Sequence, residues 1–154
     1  MMRAMSHPAK SATPEEITAY LAATPRAELL KAIAKLTPRQ LVEVVFPWVF
    51  NHKPATAERL AGATGVFRFE LEDFRDGVWT IELADGRFAV RPGEPPRVDF
   101  GVIMHIDDFE DIQRFELEPK DAFLKGKIRT QGDMGAAFRI GTLLYGEKIK
   151  RFIR

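Results

Sequence analysis

The chain of 154 residues contains no cysteine, which excludes disulfide staples, zinc–thiolate sites and thiol catalysis. A cysteine-free chain suits a reducing compartment, and a cytoplasmic location is the expectation. Serine occurs only as Ser6 and Ser11, both in a polar N-terminal stretch, so a serine triad has no nucleophile to use. The three histidines, His7, His52 and His105, lie far apart without ligand-like spacing. No apolar run approaches the roughly 20 residues needed to span a bilayer. The first residues have no apolar segment of the kind a secretory signal carries, and Phe-Ile-Arg at the end is not a Ser-Lys-Leu-type peroxisomal address. No glycine-rich loop has dinucleotide or P-loop spacing. The acidic run Asp107, Asp108, Glu110, Asp111 lacks the alternating ligands and turn glycine of a calcium loop. At a helix start the macrodipole favours such acids without a metal. The expectation is therefore no catalytic residue, no metal, no cofactor and no enzymatic activity.

Charge is nearly balanced, at +1 overall, but unevenly placed. Residues 1–53 carry +3, residues 54–123 carry −8 and residues 124–154 carry +6. A basic end on a near-neutral protein fits an anionic membrane or an acidic partner, or simply neutralises an acidic face of the same fold. No nucleic-acid partner is expected. In the tail, Tyr145, Ile149, Phe152 and Ile153 fall at helical spacing, with Lys148, Lys150, Arg151 and Arg154 on the remaining side. That pattern fits docking on anionic headgroups, or a last helix that covers the sheet.

What is present has a clear order. Thr13-Pro14, Thr24-Pro25 and Thr37-Pro38 each fit a helix start, with Thr as N-cap and Pro at the first helical position. Thr13 with Glu16 and Thr37 with Gln40 complete the capping-box spacing. Helices are expected over 14–23, 25–35 and 38–52, with Pro47 kinking or ending the last one. This last helix is apolar on much of its circumference, so it needs the domain or a twin subunit to pack against, and a homodimer through 38–52 is one expectation. From residue 65 the period changes to alternation. Phe67, Phe69 and Leu71 alternate with charges, and Trp79, Ile81 and Leu83 follow. Asp85-Gly86 suits a type I′ hairpin turn, Phe88 to Arg91 returns as a strand, and Arg97 to His105 places Val98, Phe100, Val102 and Met104 on one face. These strands are expected as an antiparallel meander with one apolar face. A helix over 107–115, a strand over 127–131 and a helix over 133–145 complete the order.

The inward faces assemble one set of candidate ligand-binding residues: Phe67, Phe69, Trp79, Ile81, Phe88, Phe100, Val102 and Met104 from strands, and Phe109, Ile112, Phe115, Phe123, Met134, Ala137, Phe138 and Leu144 from helices. A packed core and the wall of an apolar cavity use the same side chains, so composition leaves both open.

Three stretches carry a family likeness. Val78-Trp79-Thr80-Ile81-Glu82-Leu83-Ala84-Asp85-Gly86 resembles the Trp-strand-turn element of the sterol carrier protein type-two family. The strand from Val98-Asp99 to Met104 is similar to that family's next strand. Ala122-Phe123-Leu124-Lys125-Gly126-Lys127-Ile128, with Gly132-Asp133-Met134-Gly135-Ala136-Ala137, resembles its C-terminal block. The resemblance implies an α+β fold: a five-stranded, mainly antiparallel sheet covered by helices on one face, with an apolar tunnel between. It also implies non-catalytic binding and transport of a fatty acyl chain, phospholipid, sterol or isoprenoid lipid. The alternative is an accessory or assembly protein in lipid or quinone metabolism, acting through protein contacts. The expected division is residues 1–62 as tail and helical extension and 63–154 as the lipid-binding domain, with the glycine-punctuated 126–146 region as a gate.

Overall fold

Thr13 and Thr37 start helices as their spacing requires. The Thr13 hydroxyl accepts the Glu16 N–H at 3.2 Å, while the Glu16 carboxylate accepts the Thr13 N–H, and helix α1 runs Pro14–Ala23. Thr37 and Gln40 repeat the arrangement at 3.1 and 3.0 Å. Thr24 behaves differently. Its hydroxyl donates back to the Tyr20 carbonyl at 2.7 Å and closes α1. Committed there, it does not cap the next helix, so α2 (Arg26–Ala34) starts from Pro25 without a side-chain cap. Helix α3 spans 38–52 as Pro38–Gln40, a π turn at Leu41–Val45, and Phe46–His52. The expected break at Pro47 is absorbed by that turn. Proline has no N–H to donate and its ring crowds the carbonyl four residues back; a widened turn, in which the Phe46 N–H reaches the Leu41 carbonyl, accommodates both.

The computed structural model describes residues 7–52, 64–132 and 135. Five strands, β1 (Gly65–Glu72), β2 (Val78–Ala84), β3 (Arg87–Pro92), β4 (Phe100–His105) and β5 (Ile128–Gly132), form one sheet in the order β3-β2-β1-β4-β5. Asp85 and Gly86 both take positive φ, 53° and 73°, as a type I′ turn demands. The sheet is mainly antiparallel, but not the meander expected. β4 lies beside β1 in parallel, with Phe67 opposite Phe100 and Glu72 opposite His105. The chain therefore leaves the β3 edge and crosses β2 and β1 through Gly93–Asp99 before it can enter β4. It crosses on the polar face. There the Thr80 hydroxyl donates to the Gly93 carbonyl at 2.9 Å, and Arg68 grips Glu94 with two bonds of 2.8 and 2.9 Å. Because residues 97–99 belong to this crossover, the strand begins at Phe100, and Val98 is 43% exposed rather than facing inward.

Helix α4 (Ile106–Gln113) follows β4 directly, its first turn capped by His105, whose Nδ1 accepts the Asp107 N–H at 3.1 Å. Helix α5 (Pro119–Leu124) ends in a Schellman motif: Lys127 N–H reaches the Ala122 carbonyl at 2.8 Å, Gly126 N–H reaches Phe123, and Gly126 has φ 75°. All described layers share one core. Ile17 and Leu21 of α1, Leu29 and Ile33 of α2, and Leu41, Val42, Val44, Val45, Phe46 and Val49 of α3 cluster with the inward side chains of the sheet. The apolar surface that suggested a twin subunit at 38–52 is thus largely covered within the chain. The expected boundary at residue 62 lies outside the described residues. A buried glutamine adds a polar tie: Gln113 Nε2 donates to the carbonyls of Ile33, Ala34 and Leu36 at 3.1, 3.3 and 2.8 Å. It joins α4 to the C-terminal end of α2.

Three outcomes follow from this architecture. Gly132 has φ 79°, and a Cβ there would meet the Asp99 carbonyl at 2.3 Å, whereas a Cβ at Gly126 meets nothing within 4 Å. Gly126→Ala should lose about 1–2 kcal/mol in urea unfolding, the cost of left-handed backbone alone, and Gly132→Ala should lose clearly more. Gln113→Leu leaves two buried carbonyls and a part-buried one without that donor and should cost about 1–3 kcal/mol with an unchanged denaturant slope. The hydrogen bonds from Arg68 hold the Glu94 carboxyl below its ordinary 4.5. A depressed carboxylate contributes stability above its unfolded value and loses it as pH falls through the folded one. The stability difference between wild type and Glu94→Gln should therefore be full above about pH 4.5 and shrink below it.

Candidate ligand-binding face

The two faces of the sheet differ in chemistry. Alternation puts Arg68, Glu70, Glu72, Glu82, Arg91 and Arg129 on one face, where Arg91 pairs with Glu82 at 2.9 Å and Arg129 with Glu72 across strands, and Arg68 pairs with Glu70 of its own strand and with Glu94 of the crossover. Hydrogen bonding to Glu94, reinforced by Glu70, raises the Arg68 guanidinium further above its ordinary range despite partial desolvation. The opposite face is apolar and laid out in rows by the register. Val90, Ile81, Phe67 and Phe100 form one row, and Trp79, Phe69, Val102 and Thr130 the next.

Most of the inward residues expected from the sequence meet here. Phe67, Phe69, Trp79, Ile81, Phe88, Phe100, Met104, Phe109 and Ile112 are all buried in one cluster. Phe67 and Phe100 stack with ring centres 4.6 Å apart, and Phe88 approaches Phe67 edge-on at 6.4 Å. Phe46 and Phe109 bring α3 and α4 onto Phe69, at 6.2 and 6.0 Å. Val102 differs: it packs against the cluster but stays partly exposed, as do Ile128 and Leu117. Phe123 is half-buried on α5, whose buried residue is Ala122. Phe115 does not belong with the inward set. It falls two residues past the end of α4 with φ 61° and is 38% exposed, because the helix stops at Gln113 and the chain reverses. Met134, Ala137, Phe138 and Leu144 lie outside the described residues, as do the expected 133–145 helix, the basic tail and most of the 126–146 gate.

The helices divide this face unequally. Helix α3 packs along β3, while α4 contacts β4 and β1 and α5 contacts β5. Partly exposed apolar side chains remain at Val90 on β3 and at Val102 and Ile128 in the β4–β5 half. The sequence reading missed Arg39. Its guanidinium lies 5.3 Å from the Phe74 ring centre and 5.4 Å from that of Trp79, and it donates to the Arg75 carbonyl at 2.7 Å. A single arginine in a polar helix turn carries no local signal of that contact. A separate groove of about 320 Å³ lies on the outside of α1 and α3, lined by Pro14, Thr18, Glu43, Val44, Pro47, Trp48 and Asn51. Its polar groups are engaged elsewhere: Thr18 bonds the Pro14 carbonyl, Asn51 brackets the backbone of Phe88, and Glu43 lies 3.6 Å from Arg39. Among the described residues no group of three or more His, Asp or Glu side chains is placed to hold a metal ion. No described helix is long and apolar enough to cross a membrane.

Known proteins resemble this chain in sequence or in fold. Hydroxysteroid dehydrogenase-like protein 2 of Danio rerio is 33% identical over 95 residues, covering 60% of this chain and 23% of that protein. Human sterol carrier protein 2 is 27% identical over 82 residues, covering 51% of this chain and 15% of that protein. The chain thus spans less than a quarter of the length of these relatives. A solution NMR structure of palmitated SCP2L2 from Aedes aegypti superposes with a TM-score of 0.57 at 23% identity, over 71% of this chain and 96% of that one. The pattern of the SCP-2 sterol transfer family matches residues 48–145, well over half of the sequence. With the sheet, its apolar face and its covering helices in place, the chain belongs to the SCP-2 sterol transfer family.

Proposed function

We propose that the protein binds and carries a hydrophobic small molecule without altering it chemically, holding it against the β4–β5 half of the inner sheet face. The observation that carries this reading is the apolar surface left open on that half of the face. Val102, in register with Phe69 and Trp79, and Ile128, in register with Met104, remain partly open there, as Val90 does on β3. Phe123 of α5 and Leu117 supply apolar surface next to them. Met134, Ala137, Phe138 and Leu144, from the sequence reading, complete the wall in this proposal. Binding draws its free energy from apolar transfer, about 0.8 kcal/mol for each buried CH₂. A fatty acyl chain, phospholipid, sterol or isoprenoid lipid satisfies that requirement. The name of the family, and the palmitated state of the Aedes aegypti protein of the same fold, support a lipid cargo. The cysteine-free composition suits delivery within the cytoplasm.

The test begins with native mass spectrometry of protein purified from a lipid-rich lysate, followed by titration with a fluorescent fatty acid. A protein that arrives empty and takes up no fatty acid, phospholipid or sterol probe sinks the reading. Val102→Trp should fill the open half and weaken fatty-acid binding by about tenfold or more, equivalent to about 1.4 kcal/mol, while thermal unfolding keeps its midpoint within a few degrees. Trp48→Ala, in the outer groove, should leave binding unchanged. The reverse pattern would move the site to that groove.

A further inference from the structure

β4 and α4 meet without a loop: the strand ends at His105 and the helix begins at Ile106. His105 holds the joint as N-cap, with φ −73° and ψ 148°, and its Nδ1 lies 3.1 Å from the Asp107 nitrogen. A backbone N–H can only donate, so Nδ1 carries a lone pair and the neutral ring has its proton on Nε2, 3.7 Å from Asp73 Oδ2. Serine, threonine, aspartate and asparagine, the usual N-caps, accept through an oxygen that stays an acceptor between about pH 5 and 8. Histidine is the side chain that ordinarily changes charge in that interval. A proton taken up at Nδ1 turns the acceptor into a donor, and the Asp107 N–H loses its partner.

Nearby charges give the protonated ring another resting place. Asp107 Oδ2 lies 3.6 Å from Nδ1, and Asp73 stands beside Nε2. Glu72, opposite His105 in register on β1, is paired with Arg129 of β5, and Asp108 of α4 lies 3.6 Å from Lys127. The positive end of the helix dipole opposes charge on the ring, and the Asp73 and Asp107 carboxylates favour it. The side chain is 39% exposed, so protons reach it from solvent. We infer that His105 is a proton-operated latch: neutral, it fastens the first turn of α4, and protonated, it lets that turn go and swings to the carboxylates. Helix α4 contacts β4 and β1 and buries Phe109 and Ile112 on the inner face. Loosening its first turn on acidification therefore shortens the stay of cargo held there. That last step rests on the carrier reading, whereas the latch itself does not.

The experiment uses the full chain, labelled with ¹⁵N and free of lipid, titrated from about pH 8 to about pH 5. The Asp107 amide signal should shift with the same midpoint as the His105 ring, which is assigned by its loss in His105→Asn. Protection of that amide from hydrogen exchange should fall about fivefold across the midpoint, the factor set by loss of one N-cap. Asparagine caps without titrating, so in His105→Asn the Asp107 amide should stay fixed over the interval. His105→Ala should show the unlatched amide at both ends of it. On lipid-loaded protein, the off-rate of a fluorescent fatty acid should rise about fivefold across the same midpoint in wild type and stay flat in His105→Asn. An Asp107 amide that ignores the His105 titration overturns the latch. So does one that still titrates in His105→Asn, since another group then drives it. An amide that follows His105 while the off-rate stays flat overturns the control of cargo. Failure of every lipid to bind removes the carrier reading and the control of cargo with it, and the amide record of the lipid-free protein still decides the latch.

Discussion

The ring of Phe69 lies where three layers meet. Phe46 reaches it from α3 at 6.2 Å, Phe109 from α4 at 6.0 Å, and Trp79 from the neighbouring strand at 6.1 Å. Phe69 sits on β1, the middle strand of the sheet, so its burial settles where both helices lie relative to every strand. Aromatic rings in edge-on and tilted contact bury large area and prefer particular geometries. The N-terminal helices join through the same core, since Ile17, Leu21, Leu29 and Ile33 belong to its cluster. The family match starts at residue 48, inside α3. Part of the packing around the matched region is therefore supplied by chain that precedes it, and Gln113 ties that chain to α4 by hydrogen bonds.

The same face explains how a packed core and a binding surface coexist. A sheet with aromatic side chains on one side must be covered, and α3 packs along β3. The β4–β5 half is covered by the shorter helices α4 and α5, of eight and six residues. Short helices cover less area, and Val102 and Ile128 stay partly open there, as Val90 does on β3. Apolar surface left open in that way favours an apolar guest for the reason that it would otherwise favour more protein: removal from water.

The polar face solves a different problem. Placing β4 beside β1 in parallel obliges the chain to cross two strands within Gly93–Asp99. The loop has no apolar cluster of its own to hold it. Instead it is held by Arg68 on Glu94 and Thr80 on Gly93, with the Asp99 N–H bonded to the Val66 carbonyl at 2.8 Å. Thr80 is almost fully buried beneath this crossing although it projects from the polar side of β2. The ion pairs on this face are therefore partly a matter of topology.

Local chemistry made much of this legible. Capping boxes at Thr13 and Thr37, the positive-φ turn at Asp85-Gly86 and the alternation around Phe67 and Trp79 are decided by neighbours within a few residues, so the sequence by itself determined α1, the start of α3, the β2–β3 hairpin and the identity of the apolar face. Likeness of the 78–86 and 122–137 stretches to a known family carried the rest of the architecture. Contacts between distant segments were decided only in the tertiary structure. The dipeptide Thr24-Pro25 looks like its two counterparts, yet its hydroxyl closes the helix before it. Alternation in 100–104 is the same for a parallel or an antiparallel neighbour, so the pairing with β1 was invisible. Phe115 has helical spacing from Phe109 and Ile112 but lies past the point where the chain turns. Gln113 and Arg39 act across gaps of about 80 and 36 positions, to Ile33 and to Arg75. Side-chain type and spacing state what a segment can bury. Which partner it meets depends on the path of the whole chain, because long-range packing is chosen by the sum of all the faces that must be covered at once.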